Sequence, residues 1–174
     1  MKTILMLGDS LLEWGDWERL LPEFKVNNRG MAGESCEGLA GRLIGELSEA
    51  EVPQAILLQS GTNNLLMGSP HFPAIFATMV PTIRAFFAEP PIIISSLMPM
   101  PIVPSHVLAE VNDQLREISQ QTENCIFLDM VPPFNERCLP ITHPGFLNDQ
   151  VHLSTRGYLV WAEEIKACLK KVLD

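Results

Sequence analysis

The sequence has little positive charge and no long hydrophobic run. Its 12 lysine and arginine residues stand against 21 aspartate and glutamate residues, which gives a formal net charge of −9. We therefore do not expect nucleic acid or an anionic membrane surface as a partner, since binding either needs a basic surface. No stretch approaches the roughly 18 apolar residues of a membrane span. The initial run MKTILML ends at Leu7, which is too short for a signal peptide.

Cysteine is scarce and unpaired in the sequence. Cys36, Cys125, Cys138 and Cys168 are widely spaced and form no CxxC pair, which argues against a zinc site or a redox motif. We expect reduced, mostly buried thiols in a cytoplasmic protein. Repeats, linkers and low-complexity stretches are also lacking. A chain of 174 residues with 47% hydrophobic content then predicts one domain over 1–174.

Short apolar runs alternate with helical patterns along the chain. Apolar residues at helical spacing predict helices over 36–47, 73–87 and 108–118, and a last helix with Ser154 as its N-cap. Pro81 should kink the second of these helices or end it early. The strand candidates are 3–7, 24–28, 55–60, 92–97 and 125–130. This order predicts an α/β fold, a three-layer α/β/α sandwich with a five-stranded parallel sheet of flavodoxin-like type.

Polar residues follow the carboxyl ends of the predicted strands. In parallel α/β sheets, ligands bind at this edge. Gly8-Asp9-Ser10 follows the first strand, NNRGMAGES (27–35) the second and SGTNN (60–64) the third. Asp149 stands three residues before His152, directly ahead of the last helix. A hydroxyl, an imidazole, a carboxylate and several donors are what an acyl-transfer site requires.

These motifs resemble those of the SGNH hydrolases, also called GDSL esterases and lipases. The resemblance spans residues 4–160 and consists of GDS, a glycine after the second strand, G-x-N after the third, and D-x-x-H, in that order. The third block reads GTNN, with Asn64 where many members have aspartate. This GTNN form is similar to that of the platelet-activating-factor acetylhydrolase branch of the family.

The resemblance implies a role for each candidate residue. Ser10 would be the nucleophile, His152 the base that takes its proton, and Asp149 the carboxylate that orients His152 through Nδ1. A turn serine, a surface or capping histidine and a polar turn around Asn148 are the alternative interpretations. Asp9 is expected to hold the loop by accepting backbone N–H bonds.

The oxyanion donors implied by the resemblance are the Ser10 N–H, a glycine N–H and the Asn63 side-chain amide. Gly33 is favoured over Gly30 because it precedes the helix that begins near Cys36, and Gly30 would then be a turn residue. Asn63 can equally be a plain turn former.

Two further stretches are candidates for shaping an acyl pocket. Residues 97–104 can offer Met98, Met100 and Ile102 as an apolar wall, or form a proline-stiffened connector with core-facing methionines. Residues 65–72 can form a lid or rim, or a plain loop. The remaining histidines are interpreted as loop or surface residues: His71, His106 and His143.

The resulting expectation is a cytoplasmic serine esterase that hydrolyses small esters with short acyl groups through an acyl-enzyme on Ser10. It implies no metal and no organic cofactor. Thioesterase, lysophospholipase and carbohydrate deacetylase activities would use the same site. A non-catalytic flavodoxin-like ligand-binding domain is the alternative of another class, but GxGxxG and P-loop patterns are lacking and such a domain has no need of D-x-x-H. A structural or subunit-interaction protein is a third class. The natural substrate and the oligomeric state stay open.

Overall fold

A computed structural model describes residues 1–139 and 144–173. The strands in this part of the chain are β1 (Lys2–Gly8), β2 (Phe24–Gly30), β3 (Ala55–Gln59), β4 (Ile92–Ser95) and β5 (Cys125–Leu128). The helices are α1 (Ser10–Glu13), α2 (Trp17–Leu20), α3 (Cys36–Glu49), α4 (Thr62–Leu66), α5 (Pro73–Phe86), α6 (Ser105–Gln120), α7 (Val131–Arg137) and α8 (Thr155–Leu173). All five predicted strands are present, within a few residues of the predicted bounds.

The five strands form one parallel sheet in the order β2-β1-β3-β4-β5. This is the flavodoxin-like order, in which the chain reverses its direction of travel across the sheet between β1 and β3. Gly8 at the end of β1 lies opposite Gly30 of β2 and Gln59 of β3. The segments that follow these three strands therefore leave the sheet side by side.

Helices cover both faces of the sheet. In β1, Leu5 and Leu7 pack into a core with α3, α5 and α6, whereas Ile4 and Met6 pack into a second core with α1, α2, α7 and α8. All four side chains are fully buried. Burial on both faces explains why the strand reads as a continuous apolar run, and it confirms the predicted three-layer α/β/α sandwich.

Helix α5 continues through Pro81 to Phe86. Of the two expectations for Pro81, a kink or an early end, the early end is wrong. Proline removes the hydrogen bond to the carbonyl of Ala77, four residues before it. Both Ala77 and Pro81 lie on the exposed side of the helix. Water can hydrogen-bond to that carbonyl, while Phe76, Met79, Val80 and Ile83 keep the other side buried in the core.

Helix α8 begins as predicted after Ser154, whose Oγ accepts a hydrogen bond from the Gly157 N–H at 3.2 Å. In the described part of the chain, no helix is long and apolar enough to cross a membrane. All four cysteines are free thiols, of which Cys36 and Cys138 are buried. Burial raises the pKa of Cys36 to about 12, so this thiol stays protonated and unreactive at neutral pH.

Candidate active site

Ser10 lies at the turn where β1 passes directly into α1. Asp9 is the N-cap of that helix, with extended backbone, and its Oδ1 accepts a hydrogen bond from the Leu11 N–H at 3.0 Å. This is the loop-holding contact that the sequence predicts for Asp9. Asp9 is completely buried, and burial raises the pKa of its carboxyl to about 6. The turn that carries Ser10 is therefore held by a hydrogen bond to the buried Asp9 side chain.

The structure brings Ser10, His152 and Asp149 into one hydrogen-bonded chain. Ser10 Oγ lies 3.1 Å from His152 Nε2, and His152 Nδ1 lies 2.6 Å from Asp149 Oδ2. The second carboxylate oxygen, Oδ1, accepts the backbone N–H groups of Val151 at 3.0 Å and of His152 at 2.9 Å. These bonds, chiefly the one with His152, lower the pKa of Asp149 to about 2, so it is ionised at neutral pH. The arrangement matches that of a nucleophile, a base and an orienting carboxylate.

Trp14 stacks on the His152 ring, a contact that the sequence analysis did not predict. The two ring centroids are 4.0 Å apart and the planes are inclined by 23°. Trp14 is the C-cap of α1 and its side chain is 53% exposed. Trp14 follows Ser10 by one turn of α1. It holds the ring of His152, the residue whose Nε2 faces Ser10 Oγ. The only sequence signal was a tryptophan in the first turn after the candidate nucleophile.

Asn63 lies in the first turn of α4, next to the loop between β2 and α3. Its Nδ2 donates a hydrogen bond to the Glu34 carbonyl at 2.9 Å. Glu34 directly follows Gly33, so Asn63 is tied to the loop that carries the predicted glycine donor. The Nδ2 group carries two hydrogens, and Glu34 takes one of them. The other is available to a bound oxygen.

Gly30 and Gly33 have different surroundings. Gly30 ends β2, its N–H donates to Asn28 Oδ1 at 3.0 Å, and a Cβ there would overlap the Glu13 backbone nitrogen. Gly33 has a φ of +76°, and a Cβ there would meet nothing within 4 Å. Gly30 therefore permits β2 to approach α1 closely, whereas Gly33 occupies an open left-handed turn.

Arg42 of α3 holds the β2–α3 loop, a role that the sequence analysis missed. Its guanidinium forms a bidentate pair with the Glu34 carboxylate, at 2.7 and 2.8 Å, and donates to the Arg29 carbonyl at 2.8 Å. Asn64 adds a second tether: its Oδ1 accepts the Cys36 N–H at 2.9 Å, at the start of α3. Asn64, the second asparagine of the GTNN block, thus joins α4 to the start of α3.

The two stretches predicted as pocket candidates differ in exposure. Met98 and Met100 are 1% and 2% exposed, so they face the protein interior, and Ile102 alone is half exposed. In the stretch 65–72, Leu66 and Met67 are exposed and Phe72 is buried. His71 and His106 are exposed as predicted, and His143 lies outside the described residues.

The comparisons with known proteins agree with this geometry. The sequence model of the GDSL-like Lipase/Acylhydrolase family matches residues 6–160. The chain belongs to this family. A comparison with curated protein sequences finds no match. Among the residues that the structure describes, no group of three or more histidine, cysteine, aspartate or glutamate side chains is placed to hold a metal ion.

Solved structures share the GDSL-family fold over nearly the whole chain. A protein from Streptococcus pneumonia, provisionally named a platelet activating factor, has a TM-score of 0.83 and 19% identity over 95% of this chain and 83% of its own. The esterase EstA from Pseudoalteromonas sp., in a structure inhibited by monoethylphosphonate, has a TM-score of 0.79 and 21% identity over 99% of both chains. A family 3 carbohydrate esterase from Clostridium thermocellum has a TM-score of 0.79 and 18% identity, covering 99% of this chain and 96% of that one. At these identities the likeness shows the fold.

Proposed function

We propose that this GDSL-family protein is a serine esterase that hydrolyses carboxylic esters through an acyl-enzyme on Ser10. The observation that carries the proposal is the continuous chain from Ser10 Oγ through His152 to Asp149, with contacts of 3.1 and 2.6 Å. Two parts of the chain that are 142 residues apart meet there. A ligand-binding domain without catalysis has no need for an ionised carboxylate behind a histidine that faces a serine hydroxyl.

In the first half of the reaction, Ser10 Oγ attacks the ester carbonyl while His152 Nε2 takes its proton. The imidazolium that forms is stabilised by the Asp149 carboxylate. The carbonyl oxygen, now negative, accepts hydrogen bonds from the N–H groups of Ser10 and Gly33 and from Asn63 Nδ2. We assign the glycine donor to Gly33 because the Gly30 N–H already donates to Asn28.

In the second half, the tetrahedral intermediate collapses and the bond to the alcohol oxygen breaks. His152 gives its proton to that oxygen, and the acyl group stays on Ser10. A water molecule, deprotonated by His152, then attacks the acyl carbon. The bond from that carbon to Ser10 Oγ breaks, His152 returns the proton to Ser10 Oγ, and the acid is released. The same groups therefore serve both halves, and neither half uses a cofactor.

Short, uncharged acyl groups fit this site best. Met98 and Met100, the candidates for an apolar acyl wall, are buried in the protein interior and leave only Ile102 of that stretch exposed. The net charge of −9 disfavours anionic substrates. Thioesters and lysophospholipids remain the alternative substrates for the same residues.

The proposal extends to cellular location and domain structure. Four free thiols, two of them buried, support a reducing compartment such as the cytoplasm. Both cores use side chains of the same sheet, which supports one hydrolase domain across residues 1–174.

A fluorophosphonate probe tests the proposal, since it reacts with an activated serine. The wild type should be labelled once and should hydrolyse p-nitrophenyl acetate. Ser10→Ala should abolish labelling and turnover with little change in Tm. Ser48→Ala, on the exposed side of α3, is the matched control and should behave as wild type. Unchanged hydrolysis in Ser10→Ala would refute the proposal, and an unlabelled, inactive wild type would favour the ligand-binding alternative.

A further inference from the structure

A cavity of about 490 Å³ lies between the α1–α2 segment and α8, next to the candidate active site. This volume is within the range of small-molecule binding sites, about 300 to 1,000 Å³. Most of the lining is apolar, and its main members are Trp14, Leu20, Leu147, Leu153, Tyr158 and Leu159. No motif in the sequence points to a pocket on this side of the molecule.

Large apolar side chains of this cavity are exposed to solvent. Trp14, Leu147 and Leu159 are 53%, 48% and 42% exposed. A cluster of exposed apolar side chains in a concave site is typical of a place where a ligand is bound. The Tyr158 hydroxyl donates to the Leu11 carbonyl at 2.9 Å, so its hydrogen is already used and its ring adds to the apolar lining.

The charges at the cavity balance one another. Asp16 and Glu163 face Arg19 and Lys166, which gives two groups of each sign. Two of these groups are also held in ion pairs, Lys166 with Glu23 at 2.5 Å and Glu163 with Arg137 at 2.5 Å. A surface without net charge favours neither an anionic nor a cationic ligand. The chemistry of the cavity therefore fits a neutral, apolar molecule.

The cavity is connected to the catalytic histidine through its own lining. Trp14 stacks on the His152 ring and also lines the cavity. Leu147 and Leu153 flank the segment that carries Asp149 and His152. In the proposed reaction His152 delivers a proton to the leaving alcohol, so the alcohol part of the ester must lie on the histidine side of the site. The carbonyl oxygen lies at the oxyanion donors, and the acyl chain is the remaining substituent of the reacting carbon, on a side other than that of His152.

On the basis of the proposed function, we propose that this cavity binds the hydrocarbon part of the leaving alcohol. The preferred substrates are then neutral esters that join a short acid to a longer apolar alcohol. Selectivity for chain length arises on the alcohol side, because the predicted apolar wall on the acyl side is buried.

Two series of esters test this assignment. In n-alkyl acetates from ethyl to hexyl the alcohol grows, and in ethyl alkanoates from acetate to hexanoate the acid grows. For the wild type, kcat/KM should rise with alcohol length by up to about fourfold per buried methylene and should not rise with acid length. Leu159→Asp places a charge in the cavity and should flatten the alcohol series, so that kcat/KM no longer rises from ethyl to hexyl acetate.

Two matched variants locate the effect. Ile44→Asp changes an exposed apolar residue of α3, 61% exposed and outside the cavity, and should leave both series unchanged. Leu66→Asp, with the same 42% exposure as Leu159, tests the predicted rim beside Asn63. If Leu66→Asp, and not Leu159→Asp, flattens the alcohol series, the proposal is wrong. The Tm of each variant shows whether it is folded.

A second measurement does not depend on variants. With ethyl acetate as substrate, 1-hexanol should inhibit the wild type competitively and more strongly than 1-butanol, whereas hexanoate should inhibit weakly. Hydrolysis of ethyl acetate with no preference for longer alcohols in either measurement would overturn this proposal and leave the proposed esterase intact. A wild-type rate that rises with acid length, and loses that rise in Leu159→Asp, would also overturn it, in favour of an acyl site. A wild type that hydrolyses no ester would overturn both.

Discussion

Replacing Asp9 by asparagine should stabilise the protein, and increasingly so as the pH rises. Asp9 is completely buried, and loss of hydration raises the pKa of its carboxyl from 3.8 to about 6, against the opposing bonds from Leu11, Thr62 and Gln59. A rise of about two pKa units corresponds to about 3 kcal/mol. Because the carboxyl has no exposure to water, this figure needs no reduction for solvent screening.

Proton binding by Asp9 determines whether the free energy of unfolding rises or falls with pH. The folded protein binds the Asp9 proton more tightly than the unfolded chain does, since its pKa is higher in the folded state. The free energy of unfolding therefore falls as pH rises from about 4 to about 6, and the loss is complete above that range. Asparagine keeps an oxygen for the Leu11 N–H and cannot ionise. Its Nδ2 also adds a hydrogen-bond donor near the Gln59 side chain, whose Oε1 is buried and has no partner among the described residues.

Urea unfolding of wild type and Asp9→Asn at about pH 4, 6 and 8 measures the effect. The difference in free energy of unfolding between the two proteins should grow by up to about 3 kcal/mol between the lowest and the highest pH. Asp113→Asn, an exposed carboxylate of α6, is the matched control and should not reproduce this growth. A difference between wild type and Asp9→Asn that stays constant with pH would refute the reasoning, because the carboxyl would then titrate alike in both states.

Four further variants test the site. Asp149→Asn should lower kcat by up to about 10⁴-fold, since the orienting carboxylate is lost; near-normal kcat would mean that another group orients His152. Asn63→Ala should lower kcat by about 10²- to 10³-fold with little change in KM, whereas a lower Tm with normal kcat would make it a turn residue. Trp14→Ala should lower kcat by about 2- to 10-fold through the lost ring stack, and Trp14→Phe should restore most of it. Arg42→Gln should lower the free energy of unfolding by about 1.5 to 3 kcal/mol, seen in urea unfolding, and an unchanged value would mean that Arg42 does not hold the loop.

The sequence was sufficient for the sheet and for the place of the site. Residues 55–58 and 92–94 are apolar runs because β3 and β4 are buried on both faces. Parallel strands place their carboxyl ends at one edge, so Ser10 and Asn63 could be assigned to the same region before any geometry was known. The Asp149–His152 contact was predictable because the two residues are only three positions apart, and a single turn brings their side chains together.

Contacts across the fold could not be predicted in this way. The stack of Trp14 on His152 depends on the direction in which α1 leaves the sheet and on where the loop before α8 lies. Arg42 reaches Glu34 and Arg29 only because α3 packs against β1, the strand beside β2. Met98 and Met100 illustrate the same limit, since an apolar side chain after a strand can face either a pocket or the core. Side-chain direction at such positions is decided by tertiary packing.

The stability of its turn does not explain why residue 9 is a carboxylate. Its hydrogen bond with the Leu11 N–H does not explain the charge, because an asparagine oxygen would accept the same bond without the loss of hydration. The charge does interact with His152, and that attraction lowers the pKa of Asp9 against the effect of burial. Above about pH 6 the folded protein thus carries a buried charge that weakens its stability, because desolvation outweighs the contacts that favour the ionised carboxyl.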